Sequence, residues 1–178
     1  KAGFAQEAAR MLVDPENRYA SMVDHHTHPD IIWVQRLPKE APKEGESADP
    51  DAELKRSIAI DQIRSVQHSL TTRPSMGPKR VVIIDAADDL ERGGANALLK
   101  SLEEPPVGTY FMLVSHASDR LLPTIRSRCQ VMRFEALGDA EMQRALLQAL
   151  PQASTSEVDA LVRSGRGLPG QAMMLAGM

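Results

Sequence analysis

An α/β fold with a parallel sheet, followed by a small all-helical domain, is predicted by three observations on this 178-residue sequence. Arg80-Val81-Val82-Ile83-Ile84-Asp85 and Tyr110-Phe111-Met112-Leu113-Val114 are unbroken apolar runs, the pattern of strands covered on both faces. Segments with helical spacing alternate with these runs, which is the order of βαβ units. Beyond Gly138 the strand pattern stops and only helical spacing remains.

The elements follow in order. The opening segment places Phe4, Ala8, Met11 and Leu12 on one helical face, in an Ala-rich stretch free of proline. It starts at Lys1 without a cap, an initiator Met or a targeting peptide, and reads as the interior of a longer chain. A polar run follows Asp14-Pro15, then a β-rich burst at Ile31-Ile32-Trp33-Val34. Pro38 to Lys55 exchanges apolar content for proline, acids and lysine, and is expected to be a surface loop. A helix is expected from about Ile60, with Ile63, Val66, Gln67 and Leu70 along one side, stopping before Pro74. The next spans about Glu91 to Leu102, carries Ala95, Leu98, Leu99 and Leu102, and is stopped by Pro105-Pro106. Val131-Met132-Arg133-Phe134 is expected to be a further buried strand.

In the C-terminal part, Met142, Leu146, Leu147 and Leu150 have helical spacing, as do Val158, Leu161 and Val162, and then Ala172 to Leu175. The expected domains are therefore 1–137, α/β, and 138–178, helical.

Composition excludes several classes. With 21 basic and 24 acidic residues the net charge is −3, so the chain lacks the global positive field of a protein that holds DNA by charge alone. A single cysteine, Cys129, permits no intramolecular disulfide framework and no four-cysteine zinc site. It fits a reducing, cytoplasmic setting. No apolar run approaches the roughly 18 residues of a membrane span.

Candidate chemistry sits at a few positions. Asp85 ends an apolar strand, where a carboxylate can orient Mg²⁺ and phosphates or simply cap the following helix. Ala86 beside it offers no base. Arg126 and Arg128 read either as solvated charge or as guanidinium presented to a neighbour's phosphate; for Arg128, pairing with a nearby carboxylate is the alternative. Cys129 reads as a packing residue, since no histidine signature accompanies it. The cluster Asp24-His25-His26-Thr27-His28-Pro29-Asp30 has the donors for a metal, but no metal site is expected there.

Two motifs together are distinctive. Ala97-Leu98-Leu99-Lys100-Ser101-Leu102-Glu103-Glu104-Pro105-Pro106 is followed by a strand and then by Leu121-Leu122-Pro123-Thr124-Ile125-Arg126-Ser127-Arg128-Cys129-Gln130. This combination resembles the clamp-loader subunits of bacterial DNA polymerase III, of the AAA+ ATPase class, and among them the delta-prime branch. The resemblance runs over essentially the whole chain; 14–27 and 38–55 match least. It implies a three-layer P-loop NTPase-like (AAA+) parallel sheet with a small C-terminal helical lid domain.

The resemblance also assigns roles. Lys1-Ala2-Gly3-Phe4-Ala5 is similar to the helix start that follows the family's glycine loop, making Lys1 the phosphate-loop lysine. Active P-loop enzymes carry Ser or Thr next, for Mg²⁺; here it is Ala2. Asp85-Ala86 matches the metal-site strand without the Asp-Glu pair of hydrolysing subunits. Gly165-Arg166-Gly167-Leu168-Pro169-Gly170-Gln171-Ala172 resembles the lid motif with Gln171 at its phosphate-sensing arginine and Arg166 as a displaced substitute. By contrast Ser127-Arg128-Cys129 is intact, and in the family it supplies an arginine finger to ATP on the adjacent subunit. The histidine neighbourhood corresponds to a four-cysteine zinc module in relatives, which this chain is read as having lost.

What this implies is a catalytically degenerate subunit with cofactor-binding remnants at Lys1 and Asp85 and a finger, Arg128, acting in trans. No cofactor is required, metal sites are none, and retention of ATP binding stays open because the glycine loop is expected upstream. Such a subunit would lack intrinsic ATPase activity and serve the polymerase III holoenzyme, a DNA-directed DNA polymerase (nucleotidyltransferase) complex. Implied partners are gamma/tau- and delta-type subunits in a hetero-oligomer, with the sliding clamp and primer-template DNA reached indirectly, and no membrane. The collar domain through which such subunits oligomerise is expected downstream of Met178. The rivals are an active ATP-hydrolysing gamma/tau-type subunit, opposed by Ala2 and Ala86, and a stand-alone nucleic-acid-binding module. The latter would need a basic face beyond Arg120, Arg126, Arg128 and Arg133.

Overall fold

Val81, Val82, Ile83 and Ile84 are each fully removed from solvent, and the architecture follows from how that burial is achieved. A computed structural model describes residues 1–40 and 52–177. Strands β1 (Ile31–Gln35), β2 (Arg80–Asp85) and β3 (Thr109–Val114) form one parallel sheet with β2 in the middle. Successive side chains of a strand point to opposite faces, so β2 needs a layer on each side. Val81 and Ile83 pack with Ala5 and Ala9 of α1 (Ala2–Val13) and with Val23 of the short α2 (Ala20–Asp24). Val82 and Ile84 pack with Ile63 and Val66 of α3 (Ile60–Ser69) and Leu98 of α4 (Arg92–Glu103). Each such β-branched side chain contributes about 1.5–3 kcal/mol of burial.

Two expectations are corrected. The face that α1 buries is Ala5 and Ala9, with Leu12 beside them, while Phe4 and Met11 are exposed. A helix lying on a sheet of branched residues approaches closest along its small side chains, and this packing overrides the wider apolar stripe. Val131–Phe134 is not a strand: the segment is irregular and Val131, Met132 and Phe134 are exposed. A ladder needs a neighbouring backbone, and none of the described strands pairs with this segment. The expected surface loop 38–55 lies mostly outside the described residues; at its base, Lys39 N–H donates to the Glu53 carbonyl and Lys55 N–H to that of Leu37, both at 2.7 Å.

The N-terminal edge of the sheet is organised by two buried charges. Asp30 is 1% and Arg80 5% exposed. Asp30 accepts the N–H groups of Ser75 at 2.6 Å and Met76 at 2.7 Å, and its carboxylate lies 3.8 Å from the Arg80 guanidinium. Arg80 in turn donates to the carbonyls of Ser69 (2.6 Å), Thr72 (3.1 Å) and Arg73 (2.9 Å). Main-chain bonds from Val81 N–H to the Asp30 carbonyl (2.9 Å) and from Arg80 N–H to that of Gly108 (2.8 Å) join the starts of all three strands.

The chain divides into two compact units, one ending at Val131 and the other starting at Met132. The first also holds the short helix α5 (Pro123–Arg126). In the second, α6 (Asp139–Ala149), α7 (Thr155–Gly165) and α8 (Pro169–Leu175) enclose Met142, Leu146, Val158, Val162 and Ala172. Ser154 and Glu157 cap α7 reciprocally. A side chain at Gly165 would lie 2.7 Å from the Ala172 methyl and 2.8 Å from Met142, so this glycine is what lets α7 and α8 meet.

Removing the Asp30 carboxylate leaves a buried, uncompensated guanidinium, a change that costs about 3–5 kcal/mol. Asp30→Ala is expected to lower the urea midpoint accordingly with the slope unchanged; a midpoint equal to wild type would show that the pair is dispensable.

Candidate functional site

In a parallel sheet, ligands collect at the C-terminal strand edge. Here β2 ends at Asp85, flanked in register by Gln35 of β1 and Val114 of β3. Asp85 is half-buried, and its carboxylate makes no hydrogen bond or ion pair with any described residue. Lys1 precedes α1, and its ammonium reaches the residue after β3, donating from Nζ to the Ser115 carbonyl at 2.9 Å. Lys1 and Asp85 are thus brought to the same edge. Ala2 opens α1 and Ala86 follows Asp85, so neither position offers a side-chain oxygen.

Asp88, which the sequence reading missed, closes this edge. It lies in the short 3₁₀ turn Ala87–Asp89 after β2. Its carboxylate accepts the Ser115 hydroxyl and the His116 N–H, each at 2.6 Å. Burial pushes its pKa up, but the bonds from Ser115, His116 and Ala117, with the His116 charge, outweigh burial and hold it below the usual aspartate value. The available signal was an acid just past one strand exit and Ser115-His116 just past the neighbouring one. Magnesium with nucleotide phosphates wants several hard oxygen donors. Among the described residues this edge provides the free carboxylate of Asp85, while Asp88 is already engaged. The donor set does not fit a magnesium–nucleotide centre that activates water.

Arg128 lies elsewhere. Pro123 opens α5 and the buried Ile125 anchors it, which leads the chain out to Ser127, Arg128 and Cys129. The Arg128 guanidinium bonds the carboxylate of Glu103, from Nε at 2.8 Å and also from Nη2, and donates from Nη1 to the Thr124 carbonyl at 2.8 Å. Ser127 Oγ donates to the same carbonyl at 3.1 Å. The carboxylate pairing considered from sequence is therefore present in this structure. Its members keep 33% and 48% of their side-chain surface in solvent, and such exposed pairs contribute about 0–1 kcal/mol. Glu103 is the last residue of the 12-residue α4, a helix about 18 Å long that starts next to the Asp88 turn. Arg128 is thus held at the end of α4 remote from Asp85. Cys129 is half-buried, and burial pushes its thiol up, away from the reactive thiolate.

The three histidines diverge. His28 is buried and its Nδ1 accepts the Asp30 N–H at 3.1 Å. His26 stacks on Trp33 with ring centroids 3.9 Å apart, and His25 Nδ1 meets the Ser21 carbonyl at 2.7 Å. No group of three or more metal-ligating side chains occurs among the described residues. In the second unit, Arg166 takes the left-handed conformation that ends α7, and Gln171 is exposed on α8.

A family profile described as DNA polymerase III, delta subunit matches residues 1–138. Among curated proteins, DNA polymerase III subunit delta' of Pseudomonas aeruginosa is 34% identical over 151 residues, covering 85% of this chain and 42% of that protein. The Escherichia coli subunit delta' is 34% identical over 161 residues, 89% of this chain and 42% of that protein. The chain thus spans well under half the length of these relatives. Among solved structures, a mutant of RuvB from Thermotoga maritima superposes with a TM-score of 0.57 at 15% identity, covering 99% of this chain and 59% of that one. That likeness is one of fold: the three-layer AAA+ sheet with its helical lid.

The Asp88 carboxylate is depressed in the folded state, so its contribution to stability is present above the ordinary aspartate value of 3.8 and is lost as pH falls through the lower folded value. Asp88→Asn is therefore expected to lower stability at pH 7 and to flatten the acid limb below about pH 4. Urea midpoints across pH 2–7 check this; parallel profiles for variant and wild type would refute it.

Proposed function

Because the chain belongs to the DNA polymerase III delta-subunit family, we propose that it is the AAA+ core and lid of a delta-prime subunit of the clamp loader. It works there by presenting a guanidinium to a neighbour and not by hydrolysing nucleotide itself. Its partners are gamma/tau- and delta-type subunits in a hetero-oligomer that loads the sliding clamp onto primer-template DNA. One observation carries the reading: the chain's own sheet edge has alanine at both positions where a hydroxyl and a second acid would serve Mg²⁺, while Arg128 stands at the surface in a weak, solvent-screened pair.

The chemistry asked of Arg128 is electrostatic. Phosphoryl transfer spreads negative charge over the equatorial oxygens, and a planar, always-charged guanidinium can bond two of them. Supplied in trans, such a group accelerates transfer by roughly 10³-fold or more. Lys1 and Asp85 become structural remnants in this account: Lys1 stabilises the loop after β3 through Ser115, and Asp85 keeps an unengaged carboxylate. The net charge of −3 is compatible with this role, since DNA contact in a ring of subunits is shared and directed mainly to the backbone.

The full-length protein alone is expected to show no magnesium-dependent ATP turnover above background. Robust hydrolysis would identify an active ATPase subunit instead. In the reconstituted loader, Arg128→Ala is expected to lower clamp- and DNA-stimulated ATPase by about 10³-fold at the one site it serves, with assembly intact by gel filtration. An unchanged rate at every site would refute the finger.

A further inference from the structure

The geometry points to Glu103 as the residue that positions Arg128 for its partner, an inference that rests on the finger reading above. An arginine side chain free in solvent samples many rotamers, and a group that must meet a phosphoryl oxygen needs a fixed place. Glu103 supplies one. It ends α4, a helix pinned in the core through the buried Leu98 and Ala95, so its carboxylate is referenced to a rigid body.

The hydrogen-bond inventory shows what is held and what is left over. Guanidinium donors lie in one plane: one N–H on Nε and a pair on each terminal nitrogen. Glu103 Oε1 accepts from Nε at 2.8 Å and from Nη2, and the Thr124 carbonyl accepts from Nη1 at 2.8 Å. One N–H of Nη2 remains, and the second of Nη1 makes only a long 3.4 Å bond to Ser127 Oγ, which an incoming oxygen can replace. Two donors on adjacent terminal nitrogens match two oxygens of a phosphoryl group. Arg128 can therefore receive its ligand without leaving Glu103. Glu103 orients and does not compete.

The test uses the reconstituted clamp loader with the full-length subunit, measuring stimulated ATPase as kcat and KM for ATP. Glu103 is exposed at a helix end, so Glu103→Ala is expected to fold and assemble as wild type and to lower kcat roughly tenfold at unchanged KM. Glu103→Gln, whose amide oxygen still accepts, is expected to recover part of that loss. The double variant with Arg128→Ala is expected to be no slower than Arg128→Ala alone. A Glu103→Ala rate equal to or above wild type, with Arg128→Ala slow, would overturn the positioning role and leave the finger standing. Further slowing by Glu103→Ala on the Arg128→Ala background would overturn it too. A wild-type rate for Arg128→Ala would remove the finger reading and this one with it.

Discussion

The buried contact between Asp30 and Arg80 holds the geometry on which the rest depends. Two charges taken out of water are costly unless every donor and acceptor finds a partner. Here most partners are main-chain groups at the end of α3 and in the loop after it, with the Asp30 carboxylate 3.8 Å from the guanidinium. Arg80 Nε is left without a hydrogen-bond partner among the described residues. The contacts of Asp30 tie the start of β1 to the start of β2. The main-chain bond from Arg80 N–H to the Gly108 carbonyl extends the link to β3, which favours one register. A slip of one residue would turn the two faces of β2 inside out, exchanging Val81 and Ile83 for Val82 and Ile84 against unlike layers. Register chosen at one edge is register delivered at the other. It is why Asp85, Val114 and Gln35 end together and why Asp88 meets Ser115.

At that far edge, ionic side chains make structural bonds. The Lys1 ammonium is bonded to a main-chain carbonyl, and the Asp88 carboxylate is bonded to a hydroxyl and main-chain N–H groups. Each bond joins one segment of the chain to another across this edge. Ala2 and Ala86 bring no side-chain oxygen to it.

Arg80 and Arg128 show how burial decides what one functional group does. Arg80 is sealed in and bonded to three main-chain carbonyls, which it holds together. Arg128 keeps a third of its side-chain surface in water and faces a carboxylate that is itself half exposed. Screening makes that pair weak in energy, so it contributes little to stability.

Much of this was legible in the sequence, for physical reasons. A doubly covered strand must be apolar along its whole length, so β2 and β3 announce themselves. Proline and glycine mark where helices stop, and the acidic, proline-ended α4 followed by Ser127-Arg128-Cys129 is a local pattern. What depends on contacts between distant segments was not legible. Which side of α1 is buried was decided by the closest approach to the sheet, favouring Ala5 and Ala9 over Phe4 and Met11. Val131–Phe134 has strand-like residues, but strand formation needs a neighbour that those residues do not specify. Asp88 and Glu103 were two acids among many until the fold brought one to Ser115 and the other to Arg128. The sequence by itself determined the layers and the chemistry available; only tertiary structure decided which charges meet, because pairing across 25 or more residues is set by packing and not by spacing.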